Sequence, residues 1–153
     1  MEKPSKKSLS FVVEILLIAL MVLLLGLIVT LHWTIPAFTG HSPSEPGDLY
    51  HGYLLVLLVS GIVGELILWQ ARGILRNVNR GNPFCRNNVV RLRIIGIDCL
   101  ALALFYLATI FLIRKFYMAI IVAFCSVAGL LLFVCAALFQ QAILYKEENE
   151  MTI

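Results

Sequence analysis

Charged side chains are scarce in this chain of 153 residues, at 14% of the total, whereas hydrophobic residues make up 61%. A soluble globular domain is about a quarter charged and about half apolar. The deficit argues against an ordinary soluble fold, because too little polar surface remains to cover an exterior that faces water. The length suggests a single domain, residues 1–153.

Motifs for catalysis and metal binding are also missing. The chain has no nucleophile elbow, HExxH sequence, P-loop or dinucleotide fingerprint. Its four cysteines form no CxxC pair, and its three histidines share no ligand spacing. We therefore expect no enzyme activity, no catalytic residue, no cofactor and no metal site.

Four long apolar runs are present instead, each about the ~20 residues that a helix needs to cross a hydrocarbon core. They cover residues 9–31, 49–71, 94–113 and 116–144. The pattern predicts an all-α polytopic membrane protein, a bundle of four transmembrane helices. The first run exceeds the ~7–15-residue core of a signal peptide, which favours an uncleaved helix. Prolines and glycines predict an outer loop over residues 32–48, and an acidic tail covers residues 145–153.

The most polar segment, residues 72–93, holds six arginines and no acid. Its first three arginines recur every fourth residue, which predicts that the second helix continues past the membrane. Residues 81–83, Gly-Asn-Pro, should end that helix, and a new one should begin near Arg86. With four spans, ten of the twelve basic residues fall on one side. We expect the protein to lie in the inner membrane, and the positive-inside rule then places that side, with both termini, in the cytoplasm.

Five polar side chains inside the apolar runs form a candidate site: Glu14, Glu65, Asp98, Gln140 and Gln141. Each acid lies seven residues, or two helical turns, from a basic anchor, namely Lys7, Arg72 or Arg91. If the anchors mark one interface, the five side chains form a polar layer in the inner half of the bundle. A charge at that depth costs ~2.5–3.5 kcal/mol. The layer is either hydrogen-bonding glue between helices or a proton- or cation-binding site.

Two segments predicted to be cytoplasmic resemble a known family. Residues 74–84 (ILRNVNRGNPF) and 88–96 (NVVRLRIIG) resemble the loop signature of the bacterial domain-of-unknown-function 2975 family. Residues 146–153 (KEENEMTI) resemble its C-terminal ending, with Met151 where leucine is commoner. The four-span layout is similar over nearly the whole chain. The resemblance implies an uncharacterised four-helix membrane protein, often encoded beside a Cro/repressor-type helix-turn-helix regulator, and hence a regulatory pairing.

The loop and the tail carry opposite charge, so we expect the tail to dock on the loop through charge-assisted hydrogen bonds; the alternative is a frayed tail. The loop residues in question are Arg72, Arg76, Arg80, Pro83, Phe84, Arg86, Arg91 and Arg93. The tail residues are Glu147, Glu148, Glu150, Thr152 and Ile153.

Three functions remain open at this point. The first is a membrane-embedded regulatory partner of a cytoplasmic helix-turn-helix transcription regulator, which the loop and tail favour. The second is a small ion- or proton-coupled transporter, channel or immunity-type protein that uses the acidic layer. The third is a structural membrane component. The lipid bilayer is the expected partner in each case. Small-residue faces predict close helix packing, within the chain or in a homodimer. We expect no direct contact with nucleic acid, because the basic residues border apolar helices.

Overall fold

The computed structural model describes residues 6–40, 49–113 and 116–151, and the described part contains helices without any strand. Five helices follow in chain order: α1 (Lys6–Val29), α2 (Leu31–Thr39), α3 (Tyr50–Asn79), α4 (Arg86–Ile113) and α5 (Tyr117–Met151). All except α2 are long and apolar enough to cross a membrane. The predicted all-α, four-span membrane architecture is therefore confirmed. The side of the membrane on which the termini lie stays a prediction from the charge count.

Large apolar side chains cover the outward faces of the four long helices. Val22, Leu104 and Phe124 are 64%, 67% and 75% exposed, and many others resemble them. Each exposed Å² of apolar surface costs about 25 cal/mol in water, whereas the same surface facing lipid tails costs nothing comparable. The outward faces thus require hydrocarbon around them, which agrees with the composition.

The long helices pack in chain order, α1 on α3, α3 on α4, and α4 on α5, and the last of these interfaces is the most extensive. Glycines permit the close approach at two of them. A Cβ atom added to Gly129 of α5 would lie 3.0 Å from the carbonyl oxygen of Gly96 in α4. A Cβ atom on Gly61 of α3 would lie 2.7 Å from the side chain of Ile28 in α1. Small residues at membrane helix interfaces serve this purpose in general.

Helix α2 corrects the expectation that residues 32–48 are loop throughout. Leu31–Thr39 is helical in spite of Pro36, and Gly40 ends the helix with a φ of 72°. The reason is burial: Leu31 and Ile35, one turn apart, are 8% and 1% exposed and belong to a cluster that includes Tyr50 of α3. Pro36 removes one backbone donor from a short helix, and the apolar contact offsets that loss. Residues 41–48 lie outside the described part.

The basic segment is mostly helical, as its periodicity predicted. Helix α3 continues to Asn79, and α4 begins at Arg86. Gly81 takes a φ of 80°, which glycine adopts at little cost. Only residues 80–85 form the turn between the helices, and we call the end of the molecule that contains this turn the loop end. The predicted tail continues α5 as helix through Met151, while residues 152–153 lie outside the described part.

Candidate functional site at the loop end

An asparagine pair fixes the α3–α4 turn. Asn88, in the first turn of α4, is completely buried. Its Nδ2 donates a 2.8 Å hydrogen bond to the carbonyl oxygen of Pro83, and its Oδ1 accepts a 2.7 Å bond from Nδ2 of Asn77 in α3. A buried amide without partners would cost ~1–3 kcal/mol. Each polar atom of the Asn88 side chain has a partner, and these two bonds hold the turn in one conformation. The sequence pattern alone did not single out either asparagine.

Aromatic and aliphatic side chains attach the turn to α5. The rings of Phe84 and Phe139 lie 5.4 Å apart at an angle of 40°. Below them Val89, Ala136 and Ile143 form a buried cluster. Pro83 and Phe84, two of the predicted loop residues, therefore act in the structure as an acceptor for Asn88 and as a contact to α5.

Two polar contacts join α4 to the C-terminal part of α5. Arg93 Nη2 donates a 2.5 Å hydrogen bond to Gln140 Oε1. Two turns nearer the tail in α5, and two turns nearer the α3–α4 turn in α4, Arg86 Nη2 lies 3.3 Å from Oε2 of Glu147. These side chains are 79% and 44% exposed, and an exposed pair of this kind contributes ~0–1 kcal/mol. A groove of about 270 Å³ runs between the two contacts.

The predicted docking of tail on loop is thus present in the described part as one ion pair between Arg86 and Glu147. Glu148 also has an interaction. The side chain of Glu150 and residues Thr152 and Ile153 lie outside the described part, so the expectation for them is neither met nor contradicted.

Several arginines converge on a second pocket, of about 70 Å³, between α3 and α4. We call it the arginine pocket, and it is lined by Trp69, Arg72, Gly73, Arg76 and Arg91. Arg91 Nη1 donates a 2.7 Å hydrogen bond to Gln70 Oε1. The Nε atoms of Arg72 and Arg91 are buried and have no acceptor among the described residues. No described carboxylate lies within 4.0 Å of the three arginines. Arg76 and Arg80 are both exposed, and Arg80, at the C-terminal end of α3, does not line the pocket.

The five polar residues of the predicted layer lie at several levels. Glu14 accepts a 3.2 Å hydrogen bond from Asn79, the last residue of α3. Asn79 is fourteen residues beyond Glu65, which is ~21 Å along a helix. The prediction that Glu14 shares a level with the other acids is therefore wrong. It assumed that Lys7 and Arg72 mark one interface, whereas the packing of α1 on α3 places Glu14 at the loop end.

Glu65 and Asp98 do share a level. Helices α3 and α4 are antiparallel, and Arg91 of α4 contacts Gln70 of α3. Asp98 lies seven residues beyond Arg91, and Glu65 lies five residues before Gln70. Their positions therefore agree within about one helical turn. Glu65 Oε2 and Asp98 Oδ2 are both buried and have no hydrogen-bond partner among the described residues.

The two glutamines are nearer the loop end than this acid pair. Gln140 bonds to Arg93, five residues before Asp98 in α4, and Gln141 is exposed beside it. The polar side chains at the opposite end were missed: Tyr106 Oη lies 2.8 Å from Ser60 Oγ, and Tyr50 Oη lies 2.8 Å from His32 Nδ1. The sequence feature that could have indicated these two hydrogen bonds is a tyrosine within an apolar run.

The comparisons with known proteins agree with the resemblance of the loop and tail. A family model described as "Protein of unknown function (DUF2975)" matches residues 12–153. This range includes α1 from Val12 onward, the other three long helices, and both of the segments that carry the resemblance. No curated protein and no solved structure matches the chain.

Proposed function

The chain belongs to the DUF2975 family of proteins of unknown function, and from this premise we propose that it is a membrane-embedded regulatory partner of a cytoplasmic helix-turn-helix transcription regulator. The observation that carries the proposal is the contact of Arg86 with Glu147, supported by the stacking of Phe84 on Phe139. Through these contacts the loop and the tail, which carry the family resemblance, form one surface. We propose no catalytic role and no cofactor.

The chemistry of this surface suits a soluble partner. Arg86 is 79% exposed, Phe84 is 47% exposed and Val90 is 52% exposed. Arginine and aromatic side chains are enriched where protein partners meet, and a groove of mixed charge and apolar lining accepts an amphipathic segment. The charge count predicts that this surface faces the cytoplasm, where a DNA-binding regulator would be found.

The weakness of the Arg86–Glu147 pair fits a docking site that a partner can enter. An exposed ion pair contributes ~0–1 kcal/mol, so an acidic residue of the regulator could replace Glu147 on Arg86 at small cost. A buried pair would resist such an exchange much more strongly.

The test is capture of partners from native membranes with three tagged forms. These are the intact chain, a chain that ends at Tyr145, and the charge reversal Arg86→Glu. We expect the intact chain to retain a helix-turn-helix protein and the other two to lose it. Arg80→Glu is the matched control, because Arg80 is exposed nearby without a described contact to the tail. Retention by none of the forms, or equal retention by all of them, contradicts the proposal.

A second candidate, an ion- or proton-coupled transporter, is favoured by one observation. The buried oxygens of Glu65 and Asp98 share a level and have no described partner. In liposomes, Glu65→Gln and Asp98→Asn should each abolish ion flux, while Glu14→Gln, whose acid contacts Asn79 at the loop end, should leave it. Absence of flux in the unmodified protein removes this candidate.

A further inference from the structure

We propose that the arginine pocket binds the phosphate group of an anionic ligand, independently of the regulatory role. Arg72 and Arg76 come from α3, and Arg91 comes from α4. Within the described residues no carboxylate neutralises them. Three positive charges in one pocket repel each other, and no described acid offsets this repulsion. A phosphate group is the anion that best offsets this repulsion, because guanidinium forks bind phosphate oxygens in pairs.

Gly73 gives the pocket its shape. A Cβ atom at this position would overlap the guanidinium of Arg91, so a larger residue at position 73 would shift that guanidinium from its present place on α3. Gln70 Oε1 accepts a 2.7 Å hydrogen bond from Arg91 Nη1, and the buried Nε of Arg91 has no acceptor among the described residues. The arrangement is therefore built from both helices and from a backbone position that no larger residue could occupy without displacing Arg91.

The size and level of the pocket suit a phosphate group at the membrane surface. A single water needs ~10–15 Å³ of such space, and the pocket offers about 70 Å³, which accommodates several oxygen atoms. Trp69 is 60% exposed at its edge, and tryptophan side chains concentrate at the level of lipid head groups. Arg72 and Arg76 follow one and two turns later, on the side of the loop end.

The phosphate could belong to an anionic phospholipid of the inner leaflet or to a soluble molecule, and the same assay distinguishes the two sources. Trp33 and Trp69 are the two tryptophans, so a Trp33→Phe background leaves Trp69 as the single fluorophore inside the pocket. In non-ionic detergent we would titrate this protein with short-chain phosphatidylglycerol, with phosphatidylcholine of the same chain length, and with inorganic phosphate.

We expect phosphatidylglycerol to change Trp69 fluorescence with saturation, and phosphatidylcholine to bind at least tenfold more weakly, because its choline cation meets the arginines. Saturation by phosphatidylglycerol alone identifies a lipid head group, and saturation by inorganic phosphate as well identifies a site open to soluble phosphates. Either result supports the phosphate site. If neither probe saturates, the proposal is overturned.

Matched variants separate a built site from general attraction to positive charge. Arg72→Gln and Arg91→Gln should each weaken binding tenfold or more, whereas Arg80→Gln removes the same charge outside the pocket and should change it less than twofold. Gly73→Ala should weaken binding without a change of charge, while Gly26→Ala, where the added Cβ meets open space, should not. Equal weakening by Arg80→Gln and Arg91→Gln would overturn the proposal, and thermal unfolding of each variant shows that it is folded.

Discussion

The side chain of Asn77 donates a 2.7 Å hydrogen bond to Oδ1 of Asn88, eleven residues further along the chain and completely buried. The bond joins the last turn of α3 to the first turn of α4 across the six-residue turn. Because Asn88 also donates to the carbonyl oxygen of Pro83, one side chain fixes both the crossing of the two helices and the path of the turn.

Asn88→Ala should therefore destabilise the loop end. It removes two hydrogen bonds and leaves Asn77 and the Pro83 carbonyl unpaired, at an expected cost of ~1–3 kcal/mol. The measurement is thermal unfolding in detergent, together with protease cleavage within residues 80–85. Asn87→Ala is the control, because Asn87 is the exposed neighbour of the same residue type and should change neither readout. Equal effects of both variants would contradict the role given to Asn88.

Gly129→Ala should weaken the packing of α4 on α5. The new Cβ atom would lie 3.0 Å from the backbone oxygen of Gly96 and 2.9 Å from Leu100, and backbone cannot move away cheaply. Overpacking of this kind costs ~1–3 kcal/mol.

The matched substitution Gly26→Ala should instead stabilise the protein. No atom lies within 4 Å of its added Cβ, so the gain in helix propensity of ~0.5–1 kcal/mol remains. Unfolding temperatures of the two variants test the pair, and a stabilised Gly129→Ala protein would refute the close approach of the helices.

The Arg86–Glu147 pair should protect the end of α5 to a small and salt-dependent extent. Glu147→Lys should increase amide hydrogen exchange over residues 145–151, by no more than the ~1 kcal/mol of an exposed pair. The exchanged pair, Arg86→Glu with Glu147→Arg, should restore protection. Added salt at ~1 M should remove the difference between the forms, since the screening length falls to ~3 Å. If amide hydrogen exchange at low salt is the same in all forms, the ion pair does not stabilise the end of α5.

Both termini should lie on the cytoplasmic side. In a chain whose four cysteines are replaced, a single cysteine at Tyr145 should resist a membrane-impermeant thiol reagent in intact cells. A single cysteine at Thr39, at the opposite end, should react. The reverse pattern of labelling would mean that the arginine-rich side faces outward, and it would remove the basis for a cytoplasmic partner.

The sequence by itself determined the four membrane spans, the extension of α3 through the basic segment, the break near Gly81 and the start of α4 at Arg86. These features depend on local quantities: the length of an apolar run, the spacing of arginines along one helix, and a glycine and a proline that end a helix. Pro36 shows the limit of such reasoning, because burial of Leu31 and Ile35 against α3 keeps α2 helical where the local signal predicted a loop.

Only the tertiary structure decided how residues of different helices meet. Gly61 and Gly64 receive Ile28 and Leu24, and this fit sets the register of α1 on α3. It places Glu14 beside Asn79 and away from Glu65. In the same way Gly73 brings Arg91 to Arg72 and Arg76. The number of residues between an acid and the nearest basic residue on the same helix cannot predict this register. The register is fixed by the shapes of the two facing helices.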